Sequence, residues 1–301
     1  TEPRLRALFL REERPDPDPE LVRRAGLHVA NLQTLIANAE VVSIDVLSPT
    51  DQAVVGGQRA VQAISAALPQ FEGWATDVVL DLSALSIGVA FPLAKYLLDF
   101  CEGERPRINL HLVVAGNSAM DNAITSIAGD AVDPIRGFSG AIDLADSAPQ
   151  PKIWLPHLAP GRLQTLQAIR SNLQGPVDVC PVLPLSTRNA RAGDDLMLEY
   201  ESVLAQDWEV DSRNVVYALE DDPLDLYRTI TAIYHRFMGV LEGVIPAHVV
   251  LSPSGNKLLS IGALMAALEL DLPVRYVEAI QFAVDWSKIQ LLNPEDIHLV
   301  H

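Results

Sequence analysis

Short β-rich runs alternate with longer amphipathic stretches through most of this 301-residue chain. That alternation constrains the fold more than any other feature. Parallel strands can be joined only by long crossovers, and helices are the usual crossover. In the first half, strands are expected at Leu5–Arg11, Val41–Leu47, Val78–Leu82 and Ile108–Ala115. The helices between them cover Pro19–Asn38, after the break PDPDP, then Gln52–Leu68 and Ala90–Cys101. The segment Gly116–Gly175 is less regular. It holds the loop-like GFSGAIDLADSAPQPK, a strand at KIWLPHL and a helix at LQTLQAIRSNL that stops at Gly175-Pro176.

A second alternating block follows. Its strands are expected at Val177–Leu185, Asn214–Glu220, His248–Ser252 and Val274–Glu278, before a short C-terminal tail. Its helices cover Asp194–Gln206, Leu224–Leu241 and Lys257–Leu268. The two blocks share one order of elements, and DVVLD at Asp77–Asp81 aligns with HVVLS at His248–Ser252. The fold class expected is α/β, built from two tandem Rossmann-like parallel-sheet units in the manner of an internal duplication. The first unit spans residues 1–150 with its irregular extension, and the second spans 151–301.

Composition excludes some classes of function. Acidic residues outnumber basic ones 39 to 22, for a net charge of −17. A general nucleic-acid binder needs a basic face to release counterions, so long DNA or RNA is not an expected partner. With 49% hydrophobic residues the chain can build a core rather than stay disordered. Cys101 and Cys180 sit in apolar contexts and read as buried free thiols in a reducing compartment. No apolar run is long enough to span a bilayer, and TEPRLRALFLREERP is not a signal peptide, so a cytoplasmic protein is expected.

Ligands of open parallel sheets bind at the carboxyl ends of strands, which narrows the search. The sharpest loop there is Leu251-Ser252-Pro253-Ser254-Gly255-Asn256-Lys257, which follows a strand and opens a helix. Helix-start N–H groups favour anions, Gly255 allows close approach, and Ser252, Ser254 and Asn256 add hydrogen-bonding groups. Lys257 is one of only four lysines and stands where its charge opposes the helix dipole unless an anion is bound. The loop after Val177–Leu185 brings Ser186, Thr187, Arg188 and Arg191, with guanidiniums suited to phosphate, and is expected beside the Lys257 loop. Glu220-Asp221-Asp222 reads as a helix-start charge cluster or as a holder of a ribose hydroxyl or a metal. In the first half the equivalent loops are Arg11-Glu12-Glu13-Arg14 and the one from Asp81 and Ser83 to Ser86.

Several catalytic signatures are missing. There is no GxxxxGK[ST] and no GxGxxG, and GxSxG fails at Gly137–Ala141. The seven histidines show no metal-ligand spacing. No cofactor and no metal are expected, and binding is favoured over turnover.

The strand ending in Ser-x-Ser-Gly-Asn-Lys, followed by the small-residue helix LLSIGALMAALEL, resembles the CARF domain. Two such units in one chain also resemble the SAVED sensors of bacterial anti-phage systems. The resemblance implies a Rossmann-like fold and a cyclic oligonucleotide or other phosphorylated nucleotide held over the strand ends, often at an oligomer interface. It implies ligand contacts from Ser252, Ser254, Gly255, Asn256 and Lys257, with the Ser186–Arg188 loop as the family's first-strand loop. It further implies homo-oligomers and a separate effector protein as partner. Two rival readings remain: a nucleotide-metabolising enzyme using Glu220–Asp222, and an acidic scaffold subunit without ligand. The few basic groups at strand ends suggest an acidic surface that turns away long nucleic acids and admits a short phosphorylated ligand.

Overall fold

The structure is a computed structural model that describes residues 5–70, 74–103, 107–116, 123–139, 150–186, 189–241, 247–289 and 298–300. It is an α/β protein with small, mostly parallel sheets.

In the first half, β1 (Ala7–Glu13) pairs in parallel with β2 (Ala39–Asp45), and β3 (Asp77–Asp81) with β4 (Asn109–Gly116). The intervening helices are α1 (Pro19–Leu35), α2 (Gly56–Ala67) and α3 (Ile87–Gly103). Asp18 caps α1 by accepting from the N–H groups of Glu20 and Leu21, with Pro19 at the first helical position. Helix α3 buries Val89 to Ala94, Leu97 and Cys101. Pro92 lies inside α3 and has no N–H for the Gly88 carbonyl, and Gly57 of α2 lies close against that carbonyl.

The less regular middle holds β5 (Ile124–Ala128) and β6 (Asp133–Pro134). These pair antiparallel with β13 (Ala279–Val284) and β12 (Arg275–Tyr276), far along the chain. The expected short C-terminal tail therefore contains structure: β13 closes on β5, and β14 (His298–Val300) pairs with β4. Ten residues of the loop-like stretch, 140–149, lie outside the described residues.

The second half is built on β7 (Lys152–Pro156). It continues through α4 (Leu163–Asn172), β8 (Val177–Val179), β9 (Val182–Leu185), α5 (Ala192–Ser202), β10 (Val216–Leu219), α6 (Pro223–Leu241), β11 (His248–Ser252) and α7 (Lys257–Leu270) to β12. Strand β7 pairs in parallel with β11 on one side and β8 on the other. A bridge from His157 to Val182 carries the ladder on to β9, β10 pairs with β9, and Val274 bridges Leu251. The strands thus lie side by side as β10, β8–β9, β7, β11 and the start of β12. The expected single strand Val177–Leu185 is broken at Cys180-Pro181, because Pro181 has no N–H to give a ladder.

KIWLPHL is thus the central strand of its sheet, and Val177–Leu185 takes second place in the order. The aligned segments Asp77–Asp81 and His248–Ser252 also hold different places. The former pairs with the strand that follows it, and the latter with the first strand of its sheet.

Strand alternation divides the core of this half into two faces. Trp154, Leu158 and Val250 pack with Leu166 and Ile169 of α4 and Leu196 and Tyr200 of α5. Ile153, Leu155, Val249 and Leu251 face the other way, with Leu226 and Ile230 of α6 and Leu259 and Ala263 of α7. That second core is continuous with Leu80, Val89, Leu93 and Val114 of the first half. Helix α7 is apolar all round because it is covered on all sides, touching α3 and β4 as well as its own sheet. Cys101 and Cys180 are both buried, and neither is in a disulfide among the described residues. No helix among the described residues is long and apolar enough to cross a membrane.

Candidate functional site

From β7 the chain moves through α4 and α5 on one face, toward β10. From β11 it moves through α7 on the opposite face, toward β12. Where two neighbouring strands send their connections opposite ways, a crevice opens beyond their carboxyl ends. His157 and the Ser252–Lys257 loop stand at that boundary, beside the start of α7.

Most polar groups of the loop have partners within the protein. Ser252 is buried, and its Oγ accepts from Trp154 Nε1 at 2.9 Å. The Ser254 hydroxyl donates to the His157 carbonyl. Asn256 caps α7, its Oδ1 accepting from Leu259 N at 2.9 Å, while its Nδ2 donates to the Glu220 carbonyl at 3.1 Å. Gly255 has room around it: a Cβ there would come no closer than 3.9 Å to Ala159 and the Leu158 carbonyl. Lys257 reaches into the first half, where Nζ donates to the carbonyls of Leu82, at 3.1 Å, and Leu85. The loop after β3 is therefore tied to the crevice by the one lysine that sequence reasoning assigned to a phosphate.

His157 is the anomaly. It is 1% exposed, and among the described residues neither ring nitrogen has a hydrogen-bond partner. Leaving a buried polar atom unsatisfied costs about 1–3 kcal/mol. Burial pushes the His157 pKa down to about 4. The unfolded chain then takes up this proton first as pH falls. The neutral ring's contribution to stability is complete above about pH 6.5 and is lost toward pH 4, by about 3 kcal/mol in all. Denaturant titrations of wild type and His157→Leu at pH 7 and pH 5 check this: the wild type should lose more stability between the two.

The remaining candidates are placed differently. Ser186 Oγ accepts from Asn189 N at 3.3 Å, and Thr187 and Arg188 lie outside the described residues. β7 lies between β9 and β11, yet the strand end before Ser186 and the Lys257 loop both meet Glu220, which bonds to Leu185 on one side and to Asn256 on the other. Arg191 takes the N-cap position of α5. Glu220 contributes backbone bonds, from its N–H to Leu185 and from Asn256 to its carbonyl. In the acidic run, Asp222 Oδ1 accepts from Leu224 N at 2.9 Å, and Asp225 Oδ2 accepts from Leu219 N at 2.8 Å. These are helix-start contacts, and no group of residues able to hold a metal is found among the described residues. Asp81 accepts from Ser83 N, and Ser83 Oγ from Ala115 N, so both order the loop after β3.

One polar centre escaped sequence reasoning. Arg14, just past β1, donates to Glu12 at 2.7 Å, to Glu278 at 2.9 Å and to the Ala279 carbonyl at 2.9 Å. Glu12 also accepts from Ser86 N at 2.7 Å, at the start of α3. Burial works against the Arg14 charge, but Glu12 and Glu278 outweigh it, and the pKa is raised. Burial pushes the Glu278 carboxyl up, against the pull of Arg14. A cleft of about 120 Å³ opens beside this cluster, lined by Gly57, Gln58, Gly88, Arg136, Tyr276 and Glu278. The cluster joins the ends of three elements and is satisfied internally. The sequence signal was the run Arg11-Glu12-Glu13-Arg14, read there as a strand-end loop.

The sequence matches no protein-family model, and no curated protein shows significant similarity to it.

Proposed function

We propose that the protein is a sensor module that binds a phosphorylated nucleotide, of the cyclic oligonucleotide class, in the crevice between the ends of β7 and β11. The observation that carries this reading is the reversal of strand order at β7 and β11, with the Ser252–Lys257 loop and the start of α7 at the crevice. It is the position at which doubly wound units take nucleotides, and it supports a Rossmann-like, CARF-like second unit. The first half would be a second such unit, and the cytoplasm the site of action. The mechanism proposed is a population shift. A ligand phosphate competes with the Leu82 and Leu85 carbonyls for Lys257, loosens the loop after β3, and so changes how the chain docks an effector or a second copy of itself. The nucleotide-metabolising alternative, which rests on Glu220–Asp222, loses ground because Asp222 is engaged at the helix start.

Calorimetric titration with cyclic oligoadenylates, followed by product analysis, tests the reading. The wild type should bind without releasing products. Lys257→Met should bind at least about tenfold more weakly, the loss expected for one charged hydrogen bond. Nucleoside release by the wild type would favour the enzyme instead. An absence of binding, with partner docking unaffected by Lys257→Met, would favour a scaffold.

A further inference from the structure

We infer that His157 is a specificity residue of the crevice, a neutral imidazole held for an uncharged ligand group that can donate to one ring nitrogen and accept from the other. The inference rests on the nucleotide reading above and assigns a role to a residue that reading does not use.

Four observations converge. His157 directly follows β7, the first strand of its sheet and one of the two that bound the crevice. Strand alternation from Ile153 and Leu155 puts it on the face of the sheet that α7 covers. Its backbone is held on both sides: its N–H donates to the Ser252 carbonyl at 3.0 Å, and its carbonyl accepts from Ser254. The main chain is thus locked to the candidate loop, while the ring has no partner for either nitrogen among the described residues. Buried side-chain polar atoms are normally satisfied, and an exception whose backbone is locked to a candidate binding loop points to a ligand or to function.

The ring's charge state decides what it can recognise. Desolvation alone lowers its pKa to about 4, so at neutral pH it carries one donor and one acceptor. It would not attract a phosphate. It suits a hydroxyl or the edge of a heterocyclic base, both of which donate and accept. Lys257 and the start of α7 then serve the anionic part of the ligand, and His157 the uncharged part. Sites built to hydrogen-bond a polar group reject analogues lacking it, because the buried partner is left unsatisfied.

The test compares His157→Leu and His157→Gln with the full-length wild type, by thermal melting and by titration with cyclic tri- and tetra-adenylate and their 2′-deoxy forms. A histidine kept for packing would lose stability on either substitution, with no selective effect on binding. Here leucine removes two unsatisfied buried atoms, so its melting temperature should equal or exceed that of wild type. Its affinity should nevertheless fall roughly tenfold to hundredfold, the scale of one or two lost hydrogen bonds. Glutamine, which keeps a donor and an acceptor, should restore part of that loss. Discrimination against the deoxy forms that vanishes in His157→Leu identifies a sugar hydroxyl, and unchanged discrimination with lower affinity identifies the base. Wild-type affinity in His157→Leu overturns this inference alone, and absence of binding by the wild type overturns it together with the nucleotide reading.

Discussion

Replacing Arg14 with methionine is expected to destabilise the protein by about 3–5 kcal/mol at neutral pH, measured by urea unfolding. Methionine keeps much of the apolar stem, so the loss isolates the charge. Without Arg14, the Glu278 carboxylate is left 2% exposed beside Glu12, whose side chain is 9% exposed. Two like charges then share a site from which water is largely excluded. The pH dependence has a definite sign. Burial already raises the Glu278 pKa above its ordinary value, and losing Arg14 raises it further. A carboxyl whose folded pKa lies above its unfolded one becomes less costly as pH falls, because the folded state takes up the proton first. The deficit of Arg14→Met should therefore shrink as the solution is acidified through the Glu278 pKa. A second substitution, Glu278→Gln, should recover much of the loss at neutral pH. An Arg14→Met protein as stable as wild type at pH 7 would show that the cluster is hydrated and weak.

The second large effect is expected at Gly57. A Cβ there would lie 2.6 Å from the Gly88 carbonyl oxygen and 2.8 Å from Pro92 Cγ. Neither obstacle is the far end of a flexible side chain, so α2 and α3 must separate. Alanine gains up to about 1 kcal/mol of helix propensity over glycine. Overpacking costs about 1–3 kcal/mol and more where backbone must shift, so the net effect of Gly57→Ala should be a loss of about 2 kcal/mol. Gly26 in α1 is the control, since nothing lies within 4 Å of a Cβ there. Gly26→Ala should stabilise by roughly 0.5–1 kcal/mol. Denaturation midpoints of the two variants should move in opposite directions; a shift the same way in both would contradict the close approach of α2 and α3.

Local pattern made much of this fold legible. Strand His248–Ser252 and the start of α7 at Lys257 were read to the residue, because an apolar run met Pro253, Gly255 and an Asn cap. The break at Pro181 was missed because the apolar run continues on both sides of it, and only the missing N–H ends the ladder. The centrality of KIWLPHL was not legible either. Nothing in five residues states which strands will flank them, and β11 pairs with β7 from about a hundred positions away. The candidate loop was found by rule. The fate of Lys257 was not, since its carbonyl partners at Leu82 and Leu85 lie 175 and 172 positions away. Arg14 and Glu278 illustrate the same limit. A run of charges near the start of a chain reads as a solvated surface until a distant carboxylate buries it. His157 gave no sign at all, because a lone histidine after a strand looks alike whether its ring is satisfied or not.

The clasp of Arg14 by Glu278 joins residues 264 positions apart, and so has a consequence for the order of synthesis. At ordinary elongation rates of about 5–20 residues per second, Arg14 leaves the ribosome roughly 15–50 s before its partner. During that interval the end of β1 carries a guanidinium with Glu12 alone beside it, and β5 and β6 wait for strands not yet made. The β5 and β6 pairings and the Arg14 cluster therefore cannot close until residues 275–284 have emerged. Premature termination anywhere before Glu278 leaves an N-terminal fragment with open strand edges and an incomplete ion cluster, a form suited to chaperones and proteases rather than to stable accumulation.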